Sequence, residues 1–296
     1  MNAIYCNPNV DFFFEGFAEG GRGCLALTDI PTGLLLVHAP LASCLFPIHD
    51  STDPEVALVR RIVESLNDRS SDHHEYLKAL SPADFSSHPV MWPMEVLNKR
   101  MDGLVLKNVY AQSIEKWFSG GILPDTSEYR FATAVMLSRA FAHDQVGIAF
   151  VPFADQFNHS STQWQTRIRE DGADGFRMYA EKDILKGEQI FNSYGQVSDA
   201  WLFLTHGFTE GPGLNPFNYV SLLLPGSFFI GVGACVVELD ADFNFPEGLA
   251  LTEEAVATLR SLLDDSQLEG NDSDICRLKR IESDQLRSLL DIHSKP

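Results

Sequence analysis

The sequence predicts an α+β fold: a β-rich body split by a helical insertion and followed by a short helical C-terminal region. Three observations lead there. Two Asp-Ile-x-x-Gly turns, Asp29-Ile30-Pro31-Thr32-Gly33 and Asp183-Ile184-Leu185-Lys186-Gly187, recur far apart, each between apolar runs. Helix signals dominate the stretch between them. Finally, Phe150-Val151-Pro152-Phe153-Ala154 is apolar and gives way at once to Asp155-Gln156-Phe157-Asn158-His159-Ser160. That is the pattern of a buried extended segment delivering Asp155, Asn158 and His159 to a surface or cleft.

Composition bounds the function classes. With 296 residues, 45% hydrophobic, 21 Phe and 4 Trp, the chain can bury a large core, which excludes a disordered chain. The net charge of −19 disfavours nucleic acid and suits a basic protein or a cationic small molecule. Cys6, Cys24, Cys44, Cys235 and Cys276 are odd in number and contain no C-x-x-C, so neither a disulfide framework nor a zinc cluster is expected. The N-terminal phenylalanines are interrupted by Asp11 and Glu15 and lack a basic lead, unlike a signal peptide. An intracellular monomer, cytoplasmic or nuclear with organelles left open, is the expectation. The uncharged stretch from Phe217 to Val237 contains Pro225, Gly226, Gly231 and Gly233, which suits two short strands and a Pro-Gly turn better than a membrane span.

In chain order, Gly21-Arg22-Gly23-Cys24-Leu25-Ala26 matches the dinucleotide pattern G-x-G-x-x-A. Pro31 and Gly33 forbid the helix that a dinucleotide site needs, so residues 25–37 read as a hairpin instead. Asp53 caps a helix with Pro54 at its first position and Val56, Val59, Ile62, Val63 and Leu66 on one face. Residues 74–80 and 94–118 also read as helical. Ser127 is expected to cap a further helix with Ala132, Val135, Met136, Ala140 and Phe141 as its apolar stripe and Arg139 at its end, paired. Segment 187–195 reads as a short strand in which Gln189 and Asn192 interrupt Ile190, Phe191 and Tyr194, with Gly195 closing it. A helix from Ser198 to Gly207-Phe208, strands over 215–246 and helices at 252–263 and 275–292 complete the chain.

These residues leave the chemistry open between an α+β enzyme and a binding domain. Asp155 and His159 have metal-ligand spacing only on a helix, which Pro152 opposes, so no metal is expected. No G-x-S-x-G points to a serine hydrolase.

Five motifs in order resemble one family. They are Gly21-Arg22-Gly23 with the hairpin after it; Tyr129-Arg130-Phe131-Ala132 through Ser138-Arg139-Ala140-Phe141; Pro152 to Ser160; Gly187-Glu188-Gln189-Ile190-Phe191-Asn192-Ser193-Tyr194-Gly195; and Gly207-Phe208. Over roughly residues 15 to 220 the chain is similar to SET-domain protein methyltransferases. The match is best to the subfamily of the Rubisco large-subunit lysine methyltransferase, which also contains an actin histidine methyltransferase. The resemblance implies a knotted β-rich SET fold, with strands at 1–44, a helical subdomain at 45–145, the cofactor and catalytic motifs at 146–212, and a short substrate-binding-like region at 213–296. It implies S-adenosyl-L-methionine as cofactor, held by Gly20 and Arg22 through backbone, by Arg139 at the carboxylate, and by Asn158, His159 and Phe208 around the adenine and amino group. Asp155 would steady that corner or the substrate side. Tyr194 would be catalytic, orienting the substrate amine. Phe141, where the histidine enzyme has Asn, would wall a lysine stem, favouring lysine over histidine in a non-histone protein substrate. A non-catalytic SET-fold interaction module is the alternative of a different class. The family's Tyr-Gly-Phe is His206-Gly207-Phe208 here, which leaves the number of methyl groups added open.

Overall fold

The computed structural model describes residues 4–17, 21–47, 53–101, 106–211, 214–217, 221–224 and 235–238, with 277, 278 and 280. In chain order the elements are β1 (Tyr5–Cys6), β2 (Val10–Phe17), β3 (Gly21–Ala26), β4 (Leu35–Ala39), α1 (Pro54–Asn67), α2 (His74–Ala79), α3 (Met94–Arg100), α4 (Leu106–Tyr110), α5 (Lys116–Ser119), α6 (Ser127–Arg139), β5 (Ala140–His143), β6 (Gly147–Phe150), β7 (Thr166–Glu170), β8 (Phe176–Ala180), α7 (Asp199–His206), β9 (Ser221–Leu224) and β10 (Cys235–Glu238). The chain divides into two compact units. One is Met1–Ser87 with Gly121–Gln196, the other His88–Gly120 with Val197–Pro296. The division falls inside the stretch 45–145, so its first and last helices belong with the strands.

In the first unit, β1, β4, β8 and β7 form a four-stranded antiparallel sheet, while β2 pairs with β3 and β5 with β6. Cys24, Leu36, Val37, Phe157, Met178 and Ile190 lie in its buried core. Asp53 caps α1 by accepting from Val56 N at 3.1 Å, and Val56, Val59, Ile62 and Val63 are buried as the periodicity predicts. Two readings need correction around α6. Its cap is Thr126, which accepts from Tyr129 N at 3.3 Å, and Ser127 is the first helical residue. The helix also stops at Arg139, so Ala140 and Phe141 are strand residues of β5 rather than part of a helical stripe.

The hairpin expected over residues 25–37 does not form either. β3 pairs with β2, and β4 pairs with β1 and β8, so the Asp29–Gly33 turn carries the chain from one sheet to another. Its partner is the second Asp-Ile-x-x-Gly turn. Ile30 and Ile184 exchange both backbone hydrogen bonds, at 2.8 and 2.9 Å. The Asp183 carboxylate accepts from Thr32 N at 2.8 Å, and the Asp29 carboxylate from Lys186 N at 2.9 Å. Gly33 N donates to Ala180 O at 2.7 Å, and Gly187 N to Ala26 O at 2.8 Å. Each contact has its counterpart three residues from the matching aspartate or at the matching glycine, so the two turns are related by a local two-fold. Gly33 and Gly187 close it at φ +89° and +86°, a conformation that glycine adopts without strain.

In the second unit, α7 is capped by Ser198, which accepts from Trp201 N at 3.2 Å, and ends at Gly207 with φ +77°. A Cβ at Gly207 would lie 2.9 Å from His88 Cα, so glycine is needed here for space as well as conformation. The buried His88 receives Val90 N–H on Nδ1 at 3.2 Å and donates from Nε2 to Thr205 O at 3.0 Å. β9 and β10 pair antiparallel, as two strands were expected to in the uncharged stretch. The Pro225-Gly226 turn and the helix at 252–263 lie outside the described residues. Of the last helix only Arg277, Leu278 and Arg280 are described, and they are helical. No helix among the described residues is long and apolar enough to cross a membrane.

Candidate active site

Three distant pieces of the first unit meet edge to edge. Residues 188–192 lie against β3, with Ala26 N donating to Glu188 O at 3.0 Å and Ile190 N to Cys24 O at 2.8 Å. On the other side, Asn192 N donates to Asn158 O at 2.8 Å and Asn192 O accepts from Ser160 N at 3.3 Å. The Asn158 amide completes the arrangement by donating to Arg22 O at 2.8 Å. The expected strand before Tyr194 is thus reduced to bridges: Gln189 opposite Leu25, and Asn192 in parallel with His159 and Thr166. Chain after the Asn-His corner and chain before the tyrosine run side by side, which is the local form of the threading implied by the resemblance.

Tyr194 is fixed from several directions. Its N–H donates to His159 Nδ1 at 3.1 Å, and its hydroxyl donates to Phe157 O at 2.9 Å. Its ring stacks on the imidazole, with centroids 4.9 Å apart and planes 23° from parallel. Because Nδ1 accepts, the His159 proton is assigned to Nε2, which faces Ser161 Oγ at 3.1 Å. Burial pushes the Tyr194 phenol up to about 12; Asp155 and Cys24 push the same way and Arg139 opposes them. The phenol is therefore neutral at physiological pH, and Asp155, Cys24 and Arg139 all lie near enough to act on its charge.

Asp155 is the hub of a polar cluster, with its side chain wholly shielded from solvent. Arg139 Nη1 donates to its Oδ2 at 2.9 Å and to its backbone O at 2.8 Å, a charge-assisted pair. Tyr76, on α2, donates from its hydroxyl to Asp155 Oδ1 at 2.5 Å and accepts from Phe153 N at 2.9 Å and Gln156 Nε2 at 2.8 Å. Burial, and then the Asp155 charge, hold the Tyr76 phenol well above its ordinary range. Phe153 is the one non-glycine residue with positive φ among those described, at +68°. Its ring stands edge-on to Phe12 at 5.7 Å and to Tyr76 at 5.5 Å, so packing and the Tyr76 bond together hold a strained turn just before Asp155. Asp155 and His159 share no helix face, because only Ala154–Gln156 forms a single 3-10 turn.

The other expected residues are placed as follows. Arg22 turns its side chain away to Asp84 at 2.7 Å and Ala79 O at 2.6 Å, leaving its backbone at the corner. Gly20 lies outside the described residues. Phe208 belongs to the second unit, where its ring stands edge-on to His206 at 6.2 Å. Phe141 is half-buried on β5, 6.4 Å from Phe176, and lines a cleft of about 510 Å³ with His143, Asp144, Ile168, Arg169 and Glu170. Neither Tyr194 nor the Asn-His corner lines that cleft. Sequence reasoning missed Tyr76, Cys24 and the burial of Asn192. Tyr76 sits in a short helix without a motif; its only signal was an unexplained phenol on an element otherwise read as structural.

A stacked phenol at the meeting point of a G-x-G strand, an Asn-His corner and an arginine–aspartate pair marks an α+β domain whose candidate site is built by threading rather than by a strand–helix phosphate loop. The SET-domain family model matches residues 21–195, and the chain belongs to that family. It is 25% identical over 247 residues to the N-lysine methyltransferase setd6 of Xenopus tropicalis, covering 69% of this chain and 54% of that protein. It is 24% identical over 230 residues to the N-lysine methyltransferase SETD6 of Rattus norvegicus, covering 64% and 48%. The chain thus spans about half the length of these curated relatives. The structure of Rubisco LSMT bound to AdoMet superposes with a TM-score of 0.75 at 18% identity, over 96% of this chain and 87% of that one, which establishes the fold as that of a SET protein.

Proposed function

We propose that the chain is an S-adenosylmethionine-dependent protein-lysine N-methyltransferase acting on a non-histone protein. The observation that carries this is the convergence of the neutral Tyr194 phenol with the Asn158–His159 corner and the Arg139–Asp155 pair. Family membership supports it, as do relatives named as N-lysine methyltransferases and a similar structure described as bound to lysine and AdoHcy.

The residues fit the cofactor. Arg139 keeps a buried Nε with no hydrogen-bond partner among the described residues, a cationic donor beside a single carboxylate. A ligand carboxylate is what that donor lacks. Arg139 would meet the amino-acid end, with the Arg22 backbone near the corner, and Asn158 and His159 would take the nucleoside and amino group. Bound there, S-adenosylmethionine would supply a methyl on a sulfonium, open to displacement by an amine lone pair with the S–C electrons left on sulfur.

The chain's own task is to present that lone pair. A lysine ammonium, of ordinary pKa about 10.4, must first lose its proton to water, and a desolvated site lowers its pKa. The Tyr194 hydroxyl, neutral and clamped by Phe157 O and the His159 ring, orients the amine and offers no competing negative charge. Asp155 steadies both Arg139 and Tyr76, while Phe141, whose ring lies against Phe176 in a cleft of its own, keeps its assignment to the lysine stem from the resemblance alone. Rate then comes from positioning and fixed dipoles rather than from a covalent enzyme intermediate. The target is a basic protein region, to which the charge of −19 is complementary.

The test is calorimetric titration of wild type and Tyr194→Phe with S-adenosylmethionine, followed by tritium transfer into heat-treated lysate proteins. Binding in both proteins, with methyl-lysine formed by wild type and about 100-fold less by the variant, is expected. No binding heat in wild type would instead make the domain a non-catalytic interaction module, and labelled methyl-histidine would make it the histidine enzyme.

A further inference from the structure

Asn192 is a polar group for which the proposed mechanism has so far given no use. Its side chain is 0% exposed, and neither Oδ1 nor Nδ2 has a hydrogen-bond partner among the described residues. Buried amides are nearly always satisfied, because desolvating one without a partner is costly where leucine would be nearly free. An orphan of this kind marks a place where something else completes the hydrogen bonds.

Its direction follows from the backbone. Asn192 is bridged in parallel to His159, and bridged residues project to the same side. The imidazole on that side is stacked on the Tyr194 ring. Ile190 lies two residues back, which in extended chain returns it to the side of Asn192, while Tyr194 comes to that side through its ring on the imidazole. The carboxamide therefore shares a face with the phenol and the imidazole. On that face Ile190 is apolar, the His159 Nε2 proton is directed at Ser161 Oγ, and the Tyr194 hydroxyl proton at Phe157 O. Asn192 Oδ1 is the acceptor there with no donor among the described residues.

We propose that the Asn192 carboxamide is the hydrogen-bonding contact for the target amine, an inference that rests on the function proposed above. Oδ1 accepts one N–H of the neutral amine and so turns the lone pair toward the methyl donor. Each transfer replaces an N–H by a methyl, so the acceptor favours amines that still carry hydrogen. Product therefore accumulates as mono- and dimethyl-lysine rather than trimethyl-lysine.

The experiment compares full-length wild type, Asn192→Leu and Asn192→Asp. It measures thermal melting without cofactor, calorimetric binding of S-adenosylmethionine, and transfer into heat-treated lysate proteins with mass spectrometry of methyl-lysines. Asn192→Leu is expected to melt at or above wild type and to bind cofactor within about twofold. It should transfer about 10- to 100-fold more slowly, the effect of one oriented hydrogen bond, with a raised trimethyl share. Wild-type rate and product pattern in that variant would overturn the proposal. So would a tenfold loss of cofactor binding, which would assign the amide to the cofactor. If Asn192→Leu does not fold, Asn192→Asp decides: a carboxylate beside the amine holds its proton, so the limb of rising rate moves about one pH unit upward, and an unmoved limb overturns the proposal. Wild type that neither binds cofactor nor transfers sinks the function itself; wild type that does both, beside an inert substitution at 192, sinks only the role of Asn192.

Discussion

Tyr76→Phe removes one oxygen from the hub around Asp155 and leaves the packing in place. The ring would still stand 5.5 Å from Phe153 and 5.8 Å from Phe150. Three hydrogen bonds go: the donation to Asp155 Oδ1, and those accepted from Phe153 N and Gln156 Nε2. The first is charge-assisted and contributes about 1.5–3 kcal/mol; the stranded Phe153 amide adds about 1 kcal/mol, partly offset by water reaching this half-buried position. Gln156 keeps a bond to Asp155 Oδ2 at 3.1 Å, so its loss is small. The sum is about 2–4 kcal/mol, or a melting temperature lower by roughly 4–12 °C for a chain of this size. Differential scanning calorimetry without ligand measures it, and the strained Phe153 turn should relax, raising hydrogen exchange at 153–156. A melting temperature within about 1 °C of wild type would refute the claim that α2 holds the Asp155 turn in place.

Besides the delayed Tyr76, ultraviolet titration of tyrosine ionisation should find a phenol delayed to about 12 in wild type and missing in Tyr194→Phe. Since the fold favours the neutral form, the stability tied to Tyr194 is complete below the ordinary value of 10.0 and is lost as pH rises from there toward 12. His88 behaves in the opposite sense: burial lowers its pKa from 6.5 to about 4, so its contribution is complete above 6.5 and fades as pH falls toward 4. Proton NMR of the ring should show it neutral at pH 5.5, and a midpoint near 6.5 would contradict its packing. Phe141→Ala should lower kcat/KM for protein substrate about 10-fold with cofactor affinity unchanged; loss of thermal stability alone would confine Phe141 to packing against Phe176.

Much of the site was legible because its residues sit in rigid local patterns. Pro152 and the polar run after it, the glycines at 187 and 195, and the tyrosine between them each constrain the backbone within a few residues. What was hidden depended on long-range partners. The Asp-Ile-x-x-Gly turns were each read correctly as turns, yet their strands pair elsewhere, because local sequence specifies a reversal but not which sheet receives the chain. Arg139 was expected to be paired at a helix end, which it is, but its partner across the site, Asp155, is set by how α6 is oriented after folding. Tyr76 and Asn192 carry no local pattern, and only burial reveals that one anchors the corner and that the side chain of the other has no partner among the described residues. Moving the cap from Ser127 to Thr126 is the usual one-residue ambiguity between adjacent hydroxyls.

The doubled turn has a consequence for biosynthesis. Its reciprocal bonds join residues 151 and 157 positions apart, so β3 and β4, though paired with β2 and β1, lack their later neighbours while the helices are being made. A nascent chain halted before residue 187 should expose the edge of β3 and remain sensitive to protease however long the ribosome waits. Release of the second turn then lets both halves lock in one late step, and long-range pairing of this kind slows folding.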